Sequence, residues 1–94
     1  MYLITFTYEI QEADQTEFIQ SIKALKDFWN SHGLPLALYR DMNRKSRIQL
    51  TFLTERTVDD ISRLIKEDPK ARILFEKIKT CAGHIVISVY DKVL

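Results

Sequence analysis

The chain has 94 residues, 46% of them apolar and 29% charged, with a formal net charge of +1. That length gives one domain around one core, spanning residues 1–94, and the composition excludes a disordered chain. The near-neutral charge excludes a strong electrostatic demand for nucleic acid or an anionic membrane.

"YLITFTYEI" (Tyr2 to Ile10) alternates apolar and mixed positions, which is strand spacing. In "EADQTEFIQSIKALKDFWNSHG", Phe18, Ile22, Leu25 and Trp29 recur at helical spacing, flanked by Ile19 and Phe28. Asp14 with Glu17 three residues later reads as a capping box, and Gly33 suits the left-handed position beyond a helix end, so a helix is predicted over 15–31. "LPLALYRDM" (34–42) is the second predicted strand, with Pro35 at its start marking an edge. "NRKS" (43–46) is a turn in which Asn43 tolerates an unusual φ, and "RIQLTFLT" (47–54) completes a hairpin.

Thr57 with Asp60 opens the next helix, whose stripe is Val58, Ile61, Leu64 and Ile65. Asp68 and Pro69 then restart the helix, with Ala71, Leu74, Phe75 and Ile78 inward and Gly83 as its stop. This is either one helix broken near 67–69 or two short ones. "HIVISVYDKV" (84–93) is the last strand. The order is βαββαβ. Right-handed crossovers put both helical segments on one face of the sheet, giving a ferredoxin-like α+β sandwich with a four-stranded antiparallel sheet.

In that arrangement one sheet face is Tyr2, Ile4, Phe6 and Tyr8 with Leu36, Leu38, Ile48, Leu50, Phe52, Ile85, Ile87 and Val89, covered by helices. The other is Leu3, Thr5, Thr7, Ala37, Tyr39, Gln49, Thr51, Leu53, Val86, Ser88 and Tyr90. The second face is too apolar for water alone and too polar for a core. Two readings follow: a half-wet sheet face, or a sheet-to-sheet homodimer with those residues, Ala37 apart, as its interface.

The βαββαβ order, the charged hairpin "YRDMNRKSRIQLTFLTE" and the broken helix with "DPKARILFEKIK" resemble the dimeric α+β barrel superfamily. Tyr-Arg-Asp at 39–41 and Asp-Pro at 68–69 are most similar to its antibiotic-biosynthesis-monooxygenase-type domain. The resemblance implies sheets packed face to face and a small molecule held between sheet and helices. Members include cofactor-independent oxygenases, haem-degrading enzymes, isomerases and proteins of unknown role. Haem degraders use an Asn, a Trp and a helix His. Here the first strand offers Thr5 and Thr7, and the second helix has neither Trp nor His, so no haem and no other cofactor is expected. The expected activity is oxygenation of an aromatic or polyketide-like substrate; the alternative is a non-catalytic dimeric ligand-binding or stress-related protein.

The candidate catalytic residues are Trp29, Tyr39 and His84, and the candidate substrate-binding residues are Phe18, Phe6, Leu74 and Phe75. Trp29 either lines a cleft or is core. His84 begins a strand on the second face; His32 either acts as acid or base, or offsets a helix dipole. The two imidazoles form no metal motif. Tyr39, Gln49, Thr51, Ser88 and Tyr90 are a polar lining or ordinary cross-strand pairs. Cys81, the single cysteine, leaves no intrachain disulfide and no Cys-based zinc site, and reads as a small apolar packer.

Arg40, Arg44, Lys45 and Arg47 crowd the hairpin, but an RNA-recognition sheet would need exposed aromatics, and Phe6 and Phe52 alternate to the helix side. With Gly33 and Gly83 as the only glycines, a phosphate loop is excluded. No apolar run approaches the ~20 residues of a membrane span, and no secretory leader is read at the start. A cytoplasmic protein without nucleic-acid or membrane partners is the expectation. A cavity above ~300 Å³ with convergent polar groups between sheet and helices would favour the enzyme, whereas Trp29, Phe18 and Leu74 closing that space would remove its site.

Overall fold

Period-two alternation produces four strands: β1 (Tyr2–Glu9), β2 (Leu36–Arg40), β3 (Arg47–Thr54) and β4 (His84–Asp91). Helical periodicity produces α1 (Gln15–Ser31), α2 (Val58–Glu67) and α3 (Pro69–Cys81). The computed structural model describes residues 1–81 and 84–94. The expectations for Gly83 as a helix stop and for the packing of the Cys81 side chain lie outside what is described.

All pairings are antiparallel and the sheet order is β2-β3-β1-β4, the ferredoxin-like order. The register puts Phe6 opposite Leu50 on one side and Ile87 on the other, so the two sheet faces segregate as the alternation predicts. Ile4, Phe6, Tyr8, Ile48, Leu50 and Phe52 are buried beneath the helices. The α1 stripe of Phe18, Ile22, Leu25 and Trp29 is wholly buried against them. Each such side chain contributes about 1.5–3 kcal/mol of transfer free energy, and truncating Leu25 to alanine would cost about 2–5 kcal/mol. Trp29 stacks at a tilt on Phe52, centroids 5.0 Å apart, and Tyr8 lies 5.0 Å from Phe18.

Two of the three predicted helix starts have their caps. Thr57 Oγ1 accepts from the Asp60 backbone N–H at 3.2 Å, and Asp60 Oδ2 accepts from the Thr57 N–H at 3.4 Å, a complete capping box. Asp68 Oδ1 accepts from the Ala71 N–H at 3.0 Å, with Pro69 first in α3. The break at 67–69 therefore makes two helices.

The box expected at Asp14 and Glu17 is absent: Asp14 makes no side-chain cap bond. A 3-10 turn at Glu12–Asp14 runs into α1, so Asp14 has φ −96° and ψ −6° in place of the extended backbone that capping needs. Gly33 has φ 70°, as expected of the residue beyond a helix end.

The second strand is shorter than predicted, Leu36–Arg40 in place of 34–42, although Leu34 is still buried. The hairpin turn is also organised differently. Among the described residues no non-glycine has positive φ, so Asn43 needs no unusual backbone. Instead Asp41 Oδ1 accepts from the N–H groups of Asn43 (2.8 Å) and Arg44 (3.3 Å), an Asx-type turn.

One departure matters most for function. Ile87 and Val89 lie on the helix side as predicted but are 49% and 50% exposed. The helices cover β1 and β3 and stop short of the edge strand β4.

Candidate functional site: a cavity beside β4

Where the helices stop, a cavity of about 510 Å³ lies between the sheet and the α2–α3 pair. Its floor is Phe6 of β1 with Ile85 and Ile87 of β4. Ile61 and Ile65 of α2 and Phe75 of α3 form the walls. Phe6 is fixed edge-on against Phe52, centroids 6.1 Å apart, so the floor is part of the rigid core. Ser62 and the charged residues Lys66, Arg72, Glu76 and Lys79 complete the lining. Lys79 Nζ is 3.6 Å from Glu76 Oε1 and 5.4 Å from the Phe75 ring centroid.

The lining draws on both sides of the helical break at Asp68 and Pro69: Ile61 and Ile65 come from α2 and Phe75 from α3. Of the four residues named in advance as substrate-binding, Phe6 and Phe75 line the cavity. Phe18 is sealed in the core with Tyr8. Leu74 faces a different cleft of about 330 Å³ between α1 and α3, with Leu25, Phe28 and Ala71.

The named catalytic candidates lie elsewhere. Trp29 is buried between Phe28 and Phe52, and its Nε1–H has no hydrogen-bond partner. The Tyr8 hydroxyl is likewise buried and unpartnered, and burial pushes this phenol well above its usual range. Tyr39 and His84 are exposed on the opposite sheet face. His32 caps α1, its ring 4.8 Å from that of Phe28. Sequence reasoning missed Ile85, Ile87, Lys66 and Arg72. The sequence signal stops at β4 being an edge strand, which the ferredoxin-like order implies; that the helices leave it partly uncovered shows only in the structure.

The opposite face is arranged in rows. Leu53, Leu3 and Tyr90 form one, and Thr51, Thr5 and Ser88 form the next. Gln49, Thr7 and Val86 follow, and the last is Arg47, Glu9 and His84. Gln49 Nε2 donates to Thr7 Oγ1 at 3.4 Å. Leu3, Leu53 and Tyr90 are all exposed, whereas Thr5 is buried. The face therefore grades from an apolar end to a charged one.

At the charged end, Glu9 Oε1 accepts from Arg47 Nε at 3.2 Å, Glu9 Oε2 accepts from Ser46 Oγ at 3.1 Å, and Arg44 lies 3.4 Å away. Partial loss of hydration pushes the Glu9 carboxyl up. The hydrogen bonds from Arg47 and Ser46, with the Arg44 and Arg47 charges, outweigh this and hold it below the usual carboxylate range.

Among the described residues, no group of three or more His, Cys, Asp or Glu side chains is placed to hold a metal, and no helix is long and apolar enough to cross a membrane.

No family model matches the chain, and no curated protein matches it. Solved structures do. A candidate antibiotic biosynthesis monooxygenase from Bordetella bronchiseptica superimposes with a TM-score of 0.80 at 16% identity, covering 99% of this chain and 97% of that one. A conserved protein from Methanosarcina mazei gives a TM-score of 0.80 at 13% identity, covering 97% and 91%. A NIPSNAP domain protein from Burkholderia xenovorans gives 0.78 at 13% identity, covering 98% and 94%. The chain has the fold of antibiotic-biosynthesis-monooxygenase-type proteins over its full length. At these identities the likeness is one of fold.

Proposed function

We propose that the chain binds an aromatic or polyketide-like small molecule between the sheet and the α2–α3 pair, and oxidises it with molecular oxygen and no cofactor. The observation that carries this reading is the cavity of about 510 Å³ with an apolar floor, opening along β4. That volume is in the range that takes a small organic ligand. The shared fold supports the chemistry by analogy.

In such a reaction an activated methylene beside a phenol supplies the electrons. One oxygen atom of O₂ becomes the product carbonyl; the other leaves as water with the two methylene hydrogens. No external reductant is needed. Glu76 is the carboxylate in the lining and is proposed as the proton acceptor.

The protein is proposed to work as a homodimer joined through the free sheet faces. The exposed row of Leu3, Leu53 and Tyr90 supports this, since a bare apolar strip on a sheet asks for a cover. Thr5, Thr7, Tyr39, Gln49, Thr51, Val86 and Ser88 would lie in the same interface.

A specific observation favours a second reading, a dimeric ligand-binding protein without turnover. Trp29, Tyr39 and His84 all lie outside the cavity lining.

The test is to offer a panel of anthrones and naphthols under labelled oxygen, following oxygen uptake and product mass while measuring binding in parallel. Uptake with one labelled atom retained in the product supports the oxygenase. Binding without uptake supports the second reading. Absence of both overturns the two together.

A further inference from the structure

The charges around the cavity are lopsided in a way that folding does not require. Lys66 approaches from α2, and Arg72 and Lys79 approach from α3, against a single carboxylate, Glu76. Glu76 is taken by Lys79. Among the described residues, Lys66 and Arg72 form no ion pair.

Arg72 lies one turn into α3: its backbone N–H bonds the Asp68 carbonyl at 2.9 Å, and the Asp68 carboxylate at that helix end is already engaged by the Ala71 N–H at 3.0 Å. An anion at the cavity mouth would compensate both cations.

We infer that the ligand is an amphipathic anion. Its apolar body rests on Phe6, Phe75 and Ile87, and its carboxylate or sulfonate group pairs with Arg72 and Lys66. This rests on the reading of the cavity as the ligand site and adds the chemical class of what enters it. Arg72 can offer two parallel N–H donors to such a group, and Lys66 a point charge. A neutral molecule of the same shape would leave both cations uncompensated.

Two fluorescent probes separate these ideas. 1-Anilinonaphthalene-8-sulfonate carries a sulfonate; N-phenyl-1-naphthylamine is the same ring system without it. Titration of the whole chain should show the sulfonate binding about tenfold or more tightly than the neutral amine, as expected of a charge-assisted pair. Arg72→Gln and Lys66→Gln should each erode that preference and leave the neutral probe's affinity unchanged. Ile87→Glu, at a half-exposed position, should weaken both probes.

Equal affinity for the two probes, both lost in Ile87→Glu, would overturn the anion assignment and leave the cavity standing. Binding unaffected by Ile87→Glu, or no binding of either probe, would overturn the cavity as the ligand site and the inference with it.

Discussion

The side-chain carbonyl of Gln15 accepts a hydrogen bond from Arg40 Nε at 3.1 Å, joining the first turn of α1 to the end of β2. The Gln15 amide donates to the carbonyls of Ile10 (3.1 Å) and Lys45 (2.6 Å). One buried polar side chain thus ties the β1–α1 connection to the β2–β3 hairpin. Gln15→Ala would strand the buried Ile10 carbonyl and is expected to cost about 1–3 kcal/mol. Urea midpoints check this, and Arg40→Ala, whose side chain reaches water, should cost less.

Tyr8 gives the opposite sign. Its hydroxyl is buried with no partner, so Tyr8→Phe removes an unmet hydrogen-bonding need and keeps the ring packed on Phe18. The variant should be more stable by about 1–2 kcal/mol, a fraction of the cost of a stranded polar group. A lower melting temperature in thermal unfolding would show that the hydroxyl has a partner in solution.

The free sheet face yields a test of assembly. Thr51 is half-buried on that face, and lysine there would set an unpaired charge in the proposed interface. Light scattering during gel filtration should give a dimer for the parent chain and a monomer for Thr51→Lys. Thr5→Lys should act the same way, but Thr5 is buried within the protomer and its variant will also lose stability. If both variants remain dimeric, the interface lies elsewhere.

Glu9 sets a pH dependence. Its carboxyl is held below the usual range in the folded chain. The resulting stabilisation is fully present above the unfolded value of about 4.3, and is lost as pH falls through the lower folded value. Glu9→Gln should therefore flatten the acid limb of a stability–pH curve, with little change in its shape above neutrality. An unaltered acid limb would mean that the Arg47 and Ser46 contacts are not maintained in solution.

Helix starts show where sequence reasoning succeeds and where it does not. Thr57→Ala removes a real capping bond and should cost about 1 kcal/mol, whereas Asp14→Ala should be close to neutral because Asp14 makes no cap bond. The two pairs have the same spacing in sequence. What separates them is the backbone at the cap: Asp14 ends a 3-10 turn with helical φ and ψ, whereas Thr57 itself is extended.

The fold was legible because alternation and helical spacing are local patterns that the register then obeyed, as at Ile4, Phe6 and Tyr8. The cavity was not. Ile87 has the spacing of a core residue, and only the lateral extent of α2 and α3, a tertiary quantity, leaves it half bare. Gln15 escaped notice for a related reason. A glutamine early in a helix reads as solvent-facing until the hairpin that it fastens is in place.

The strand order has a kinetic meaning as well. The central strand β1 comes first in sequence, yet its two neighbours are β3 and β4, so Ile4 waits for Phe52 on one side and for Val89 on the other. Pairings that close such long stretches of chain are slow to find. During synthesis β1 has no partner until β3 emerges, and its other edge stays open until α2, α3 and β4 have followed, with its aromatic side chains available to the wrong neighbour. The chain is thus expected to depend on rapid completion of β4, and a ribosome stalled between α3 and β4 would hold an aggregation-prone nascent chain.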